Sequence, residues 1–328
     1  PGSALLTVSH RVPAPDLCLA RLQRVIGIGR ITGPGNDGAF RHRLLCHVPD
    51  HRIQAVSGDP AEHADIPHGI DPLPEFRILV LEHAEQLVPA QQCIGQVGID
   101  QQGSLSEQID GLRQAYVDEG PAEGEVVLLL HGEPTWSYLY RKMIPVFAEA
   151  GLRTVAPDLV GFGRSDKLSE RSDYSYARHV RWMKDWLVAM GLCNVTLLGQ
   201  DWGGLIGLRM VAELPERFAR FSLSNTGLPT GDHPINEAFH KWRAFSQEDP
   251  EFDTGYIVNL FGHGDLTEAE IEAYRAPFPS DEYKAGARQF PMLVPTVPDD
   301  PASAANRAAW KVLTQWHKPA LMCFSDAD

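Results

Sequence analysis

The chain has 328 residues, 43% hydrophobic and 22% charged, with 29 Lys and Arg against 43 Asp and Glu and a formal net charge of −14. That composition excludes wholesale disorder. The acidic balance excludes nucleic acid or an anionic membrane as the main partner, because both select basic faces. No stretch reaches the roughly eighteen apolar residues of a spanning helix, and the start lacks the layout of a secretory signal, so a cytoplasmic protein is expected. The length suggests two domains, or one large α/β domain with an insertion. Cys18, Cys46, Cys93, Cys193 and Cys323 are scattered and never in CxxC spacing; they are read as inert thiols, with no disulfide framework and no zinc site.

Residues 1–110 contain no Trp, Tyr or Lys, yet hold seven of the thirteen His and nine of the fourteen Gln. Short apolar runs such as Arg77 to Leu81 alternate there with clusters of His, Pro, Gly and Gln, and no periodicity persists. A small domain, a disordered extension and an upstream read-in of non-native sequence all fit this stretch, the last of them best. It is set apart as an atypical extension.

From Gly111 the signals strengthen. Glu125 to Leu130 is a continuous apolar run ending in His131-Gly132, the profile of a strand buried on both faces. Trp136 to Ala150 reads as a helix closed by Gly151, and Arg153 to Pro157 as a second strand. The loop Asp158 to Ser165 follows, and Tyr176 to Gly191 is amphipathic, with Val180, Met183, Leu187 and Met190 at helical spacing. Asn194 to Leu198 is a third strand, Trp202 to Glu213 a helix, and Phe218 to Asn225 a fourth strand. This alternation predicts a mostly parallel, doubly wound α/β sheet with helices on both faces. Residues 111–226 are then the first part of the core. Residues 227–290, with helical patches at Ile235 to Phe245 and Thr267 to Tyr274, form a helical cap over the carboxyl edge of the sheet. Residues 291–328 return to the core with the strand Pro319 to Phe324.

Gly199-Gln-Asp-Trp-Gly203 joins a strand to a helix in the small-x-nucleophile-x-small pattern, with Asp201 at the nucleophile position. The glycines suit a turn too tight for side chains. The bland alternative is an Asp favoured near a helix start by capping and the dipole. An Asp nucleophile implies a particular chemistry. A carboxylate of pKa about 4 is ionised without a base, can displace a leaving group from a saturated carbon, and gives an ester that water can still hydrolyse at its carbonyl.

From Gly111 to Asp328 the chain resembles a haloalkane dehalogenase of the α/β-hydrolase fold, of the subfamily with a His-Gly-Glu-Pro-Thr-Trp oxyanion turn. The matching stretches are His131 to Arg141, Asp158 to Asp166, Gln200 to Gly204 and Ala276 to Pro279. The resemblance implies that Asp201 attacks the halogen-bearing carbon, that the indole N–H groups of Trp202 and Trp242 hold the halide, and that Phe239 lines the same pocket. It further implies an oxyanion hole made by the backbone N–H groups of Glu133 and Trp202. The acid falls on Asp328, with Asp326 as the fallback. His131 is read as structural, Trp136 as packing, and the Glu133 side chain as either solvated or functional. The family's general base is a His after the acid. No His follows Asp328 in this sequence, so the expectation is a chain cut off at its acid, lacking base, final strand and final helix, and inactive for turnover. The implied partners are a small halogenated alkane, water and halide, with no metal or organic cofactor, and a monomer is expected. An epoxide hydrolase shares the Asp elbow and needs cap tyrosines, for which Tyr256, Tyr274 and Tyr283 are available. A non-catalytic ligand-binding member of the fold is the second alternative.

Overall fold

The computed structural model describes residues 105–262 and 264–324, together with the backbone of two short strands, β1 (Leu45–His47) and β2 (Gly98–Ile99). Asp326 and Asp328 lie outside the described residues. The remaining strands are β3 (Leu105–Ile109), β4 (Leu112–Glu119), β5 (Val126–Leu130), β6 (Arg153–Pro157), β7 (Val195–Gln200), β8 (Phe218–Ser224) and β9 (Ala320–Met322). Among the described residues they form one sheet in the order β1-β9-β8-β7-β5-β6-β4-β3-β2. The run from β9 to β6 is parallel and β4 adds antiparallel to β6.

Strand β5 shows why the sheet sits at the centre. Leu128 and Leu130 face the cluster built with Val155 and the helices α2 (Tyr176–Ala189) and α3 (Trp202–Glu213), whereas Val127 and Leu129 face Ile144 and Phe147 of α1 (Ile144–Glu149). Successive side chains of a strand point to opposite faces, so an unbroken apolar run is buried twice over. The α/β-hydrolase architecture expected from the sequence is therefore present, with helices on both faces.

Two local expectations fail. The division placed at residue 110/111 falls inside a β-hairpin, because β3 and β4 pair across the turn Asp110-Gly111, with Ile109 opposite Leu112. Both turn residues have positive φ, 55° and 77°, the geometry that favours Asp-Gly in a two-residue turn. Only Ser106 and Ile109 of β3 are buried, and a strand so polar carries little hydrophobic signal. The hairpin is tied down by Asp110, whose carboxylate accepts the Trp182 indole N–H at 3.2 Å and pairs with Arg181. The second failure is the helix expected over Trp136 to Ala150. It splits into a 3-10 turn, Ser137–Tyr140, and α1, where Pro145 sits in the first turn. Proline lacks the N–H and is best placed at a helix start. Tyr140 instead turns inward and donates its hydroxyl to the Leu130 carbonyl at 2.7 Å.

Between β8 and β9 the chain is helical: α4 (Glu237–Glu248), α5 (Thr254–Phe261), α6 (Glu268–Arg275), α7 (Ala285–Leu293) and α8 (Ser303–Leu313). Each of the first three starts at a side-chain cap: Asn236, Asp253, and Thr267 with Glu270 in a capping box. These caps satisfy amides that a helix start leaves without partners. Helix α8 returns to the core, where Asn306 Oδ1 accepts from Arg209 at 3.0 Å. Cys323 is a free thiol whereas Cys193 is disulfide-bonded, so the expectation of five inert thiols fails at Cys193. Scattered spacing does not preclude a single bridge, because proximity in space decides it.

Asp158 ties its own loop to the 3-10 turn at Ser137. Its fully buried carboxylate accepts the Ser137 N–H at 2.8 Å and both the N–H and Nε–H of Arg164 at 2.9 and 3.0 Å. Asp158→Asn keeps the volume but loses the charge-assisted bonds, and an amide NH2 faces donors. We expect about 2 kcal/mol of destabilisation, read as a lower urea midpoint at unchanged slope.

Candidate active site

Asp201 sits between β7 and α3 at φ 51° and ψ −124°, a conformation that costs a non-glycine residue about 1–3 kcal/mol. Its surroundings hold it there. The Asp201 N–H donates to the Asn225 carbonyl at 3.1 Å, and its own carbonyl accepts from the Thr226 hydroxyl at 2.6 Å and from the Gly204 and Leu205 amides at 2.9 and 3.1 Å. A methyl group on Gly132 would meet the Asp201 side chain at 2.4 Å, and one on Gly204 would meet Thr226 at 2.2 Å. Glycine at Gly132 is what allows the turn after β5 to close on the carboxylate, and at Gly204 it leaves room for Thr226.

The Glu133 N–H donates to Asp201 Oδ1 at 2.7 Å. Trp202 is the first residue of α3, so its N–H has no acceptor within the helix and the dipole there favours negative charge. Above these groups lies a cavity of about 520 Å³ lined by Glu133, Asp201, Trp202, Phe239 and Trp242 together with Asn225, Ile235, Pro291 and Val294. Five of the residues singled out from the sequence are thus brought around one space, Glu133, Asp201 and Trp202 from the core and Phe239 and Trp242 from α4. The Trp202 ring is held between Tyr176 at 5.0 Å and Phe290 at 4.5 Å. Trp242 stacks on Phe245 at 5.9 Å and meets Phe261 edge-on at 5.5 Å.

The other candidates settle into bonding roles. His131 is fully buried, its Nδ1 lies 2.9 Å from the Gly132 carbonyl and its Nε2 accepts the Leu159 N–H at 2.9 Å. Burial holds its pKa below the usual histidine value, as expected of a neutral structural imidazole. Trp136 donates its indole N–H to the Ala273 carbonyl at 3.1 Å and stacks on Tyr138. One oxygen of the half-buried Glu133 side chain, Oε1, is buried with no hydrogen-bond partner among the described residues. Burial first, and then the neighbouring Asp201, push its carboxyl well above the usual range. Among the described residues no histidine or tyrosine lines the cavity, and no group of His, Cys, Asp and Glu is placed to hold a metal ion. Tyr176, Phe290 and the wall residues Ile235, Pro291 and Val294 escaped the sequence reading, because an apolar residue facing a ligand and one facing the core look alike in sequence. Pro291 inside a helix was the one local sign.

The family model for the α/β-hydrolase fold matches residues 125–297. A haloalkane dehalogenase of Psychrobacter cryohalolentis is 59% identical over 217 residues, covering 66% of this chain and 72% of that protein. One of Mycobacterium marinum is 52% identical over 217 residues, covering 66% and 73%. The chain belongs to the haloalkane dehalogenases. Among solved dehalogenases, the tetrameric DpaA of Paraglaciecola agarilytica NO2 is 37% identical, with a TM-score of 0.64 over 76% of this chain and 80% of that one. Haloalkane dehalogenases are hydrolases.

Proposed function

We propose that the chain attacks small haloalkanes through Asp201 and forms an aspartyl ester as the first half of hydrolytic dehalogenation. The observation that carries this reading is a carboxylate held under the Glu133 N–H at 2.7 Å, in a cavity of mixed lining that two indoles share. One carboxylate oxygen bonds to the saturated carbon as the carbon–halogen bond breaks, and the halide leaves with the electron pair. An indole N–H donates and never accepts, so Trp202 and Trp242 suit an anion and would hold the departing halide. In the second half, water adds to the ester carbon, the alcohol leaves, its proton balance passes through a base, and the Asp201 carboxylate returns. Negative charge on the carbonyl oxygen in that step would fall beside the Glu133 amide, which already donates to Oδ1, with the Trp202 amide as the second donor by the family resemblance; such donors are worth about 3 kcal/mol each. By the family resemblance, Asp328 would be the acid that orients a histidine base.

The absence of tyrosine from the described cavity lining favours a halide over an epoxide. An alkoxide leaving group must be protonated, and the three cap tyrosines are elsewhere. Tyr274 accepts from Arg141 at 3.2 Å and is buried away from the cavity, and Tyr283 is exposed. The test is halide release with short chloro-, bromo- and iodoalkanes, with a matched epoxide as control and intact mass as a second readout. One halide per chain with a stable alkyl adduct would report the first half-reaction alone. Opening of the epoxide at a comparable rate would sink the assignment, and sustained turnover would show a base acting on the ester.

A further inference from the structure

The cavity holds two ionisable side chains among its described lining residues, Asp201 and Glu133. Asp201 has an amide donor on Oδ1. Glu133, whose own backbone supplies that donor, has its Oε1 buried with no partner. A buried polar atom left unpaired is costly, more so when charged. Two neighbouring carboxyl groups at one cavity wall do not both ionise readily, and the proton stays on the one whose buried oxygen has no donor. A neutral carboxyl has one O–H donor; a carboxylate only accepts, and it repels an anion.

The geometry points to the Glu133 side chain as a proton-operated control on halide retention: the neutral acid admits and donates to the anion left in the cavity, and loss of its proton expels that anion. This inference rests on the reading of Asp201 as the nucleophile of a dehalogenase, and extends it from the backbone of Glu133 to its side chain. The surroundings of Glu133 leave few other groups to respond to pH. From the elbow comes Asp201, and burial of the Glu133 carboxyl together with that charge delays its ionisation. On its own turn, His131 is locked between backbone groups and held below its usual pKa by burial. From the 3-10 turn, Tyr140 donates to the Leu130 carbonyl and is pushed up by burial and by Asp201. Helix α4 contributes Phe239 and Trp242 to the lining, and α7 contributes Pro291 with Val294 just past its end, none of them ionisable.

The experiment titrates the 328-residue chain with sodium bromide, following tryptophan fluorescence from about pH 6 to about pH 10. The wild type is compared with Glu133→Gln, which keeps shape and a neutral donor, and with Asp201→Asn. We expect bromide affinity of the wild type to fall about tenfold or more as pH rises, and that of Glu133→Gln to stay within about twofold over the same range. In Asp201→Asn the charge opposing ionisation of Glu133 is gone, so the fall should move to lower pH. A parallel fall in Glu133→Gln, an unshifted fall in Asp201→Asn, or no bromide response in any of the three proteins would overturn the inference. Because the readout is anion binding, its failure is separable from that of the nucleophile assignment, which is read by halide release.

Discussion

Asp201→Asn should lower halide release from short bromoalkanes by about a thousandfold or more, the scale on which loss of an enzyme nucleophile is felt. The substitution isolates the chemistry. Asn tolerates positive φ nearly as well as Asp, so the backbone at φ 51° can be kept. The amide oxygen can still accept the Glu133 N–H that Asp201 Oδ1 accepts at 2.7 Å. The bonds from Thr226, Gly204 and Leu205 go to the main-chain carbonyl and do not depend on the side chain. What disappears is the negative charge and with it the attack on carbon. The alkyl mass on the peptide carrying residue 201 should vanish together with the halide signal. Retention of either in a folded Asp201→Asn protein would mean that another group is the nucleophile.

What the sequence made legible divides along a physical line. Strand β6 and helix α3 fall on their expected residues, Arg153–Pro157 and Trp202–Glu213. One is an apolar run buried on both faces; the other is launched by a glycine-flanked turn that few sequences can make. Signals of that kind are local, and the glycine-flanked turn around Asp201 was visible for the same reason, whereas the turn at His131-Gly132 took its reading from the family resemblance. The β3–β4 hairpin was missed because its first strand buries so little, although Asp110-Gly111 marks the turn. The helix over 136–150 was overdrawn because the inward pull of Tyr140 toward Leu130 is a contact in space. Phe239 and Trp242 were assigned through family resemblance, since helix α4 shows only an apolar stripe with no sign of what it faces. Phe290, which packs on Trp202, Phe162 and His179 at once, carries no local mark at all. Most instructive is Glu133. The resemblance pointed to its backbone, whose N–H donates to Asp201 Oδ1 at 2.7 Å, whereas the burial of its Oε1 without a partner became visible only once the walls around it were in place.

Gly203→Ala should cost about 3 kcal/mol or more, at the upper end of what inserting a methyl into a packed interior does. A Cβ there would lie 1.9 Å from the Leu130 carbonyl oxygen, 2.3 Å from its carbon and 2.8 Å from the His131 oxygen. All three atoms are backbone at the end of β5, and β5 is paired on both sides, to β6 and to β7. The strand cannot retreat without breaking those ladders, so α3 must lift, carrying Trp202 with it and drawing the Asp201 carboxylate away from the Glu133 amide. Gly207→Ala on the same helix is the comparison. Its nearest contact would be Leu197 Cδ2 at 2.7 Å, the far end of a side chain that can rotate, and the better helix propensity of Ala offsets part of the cost. Urea unfolding of the pair should therefore place Gly203→Ala well below Gly207→Ala. Halide release by the folded fraction should drop in the first and be nearly preserved in the second. Equal losses in the two variants would show that the close approach of strand β5 to the elbow is not what holds the nucleophile in place.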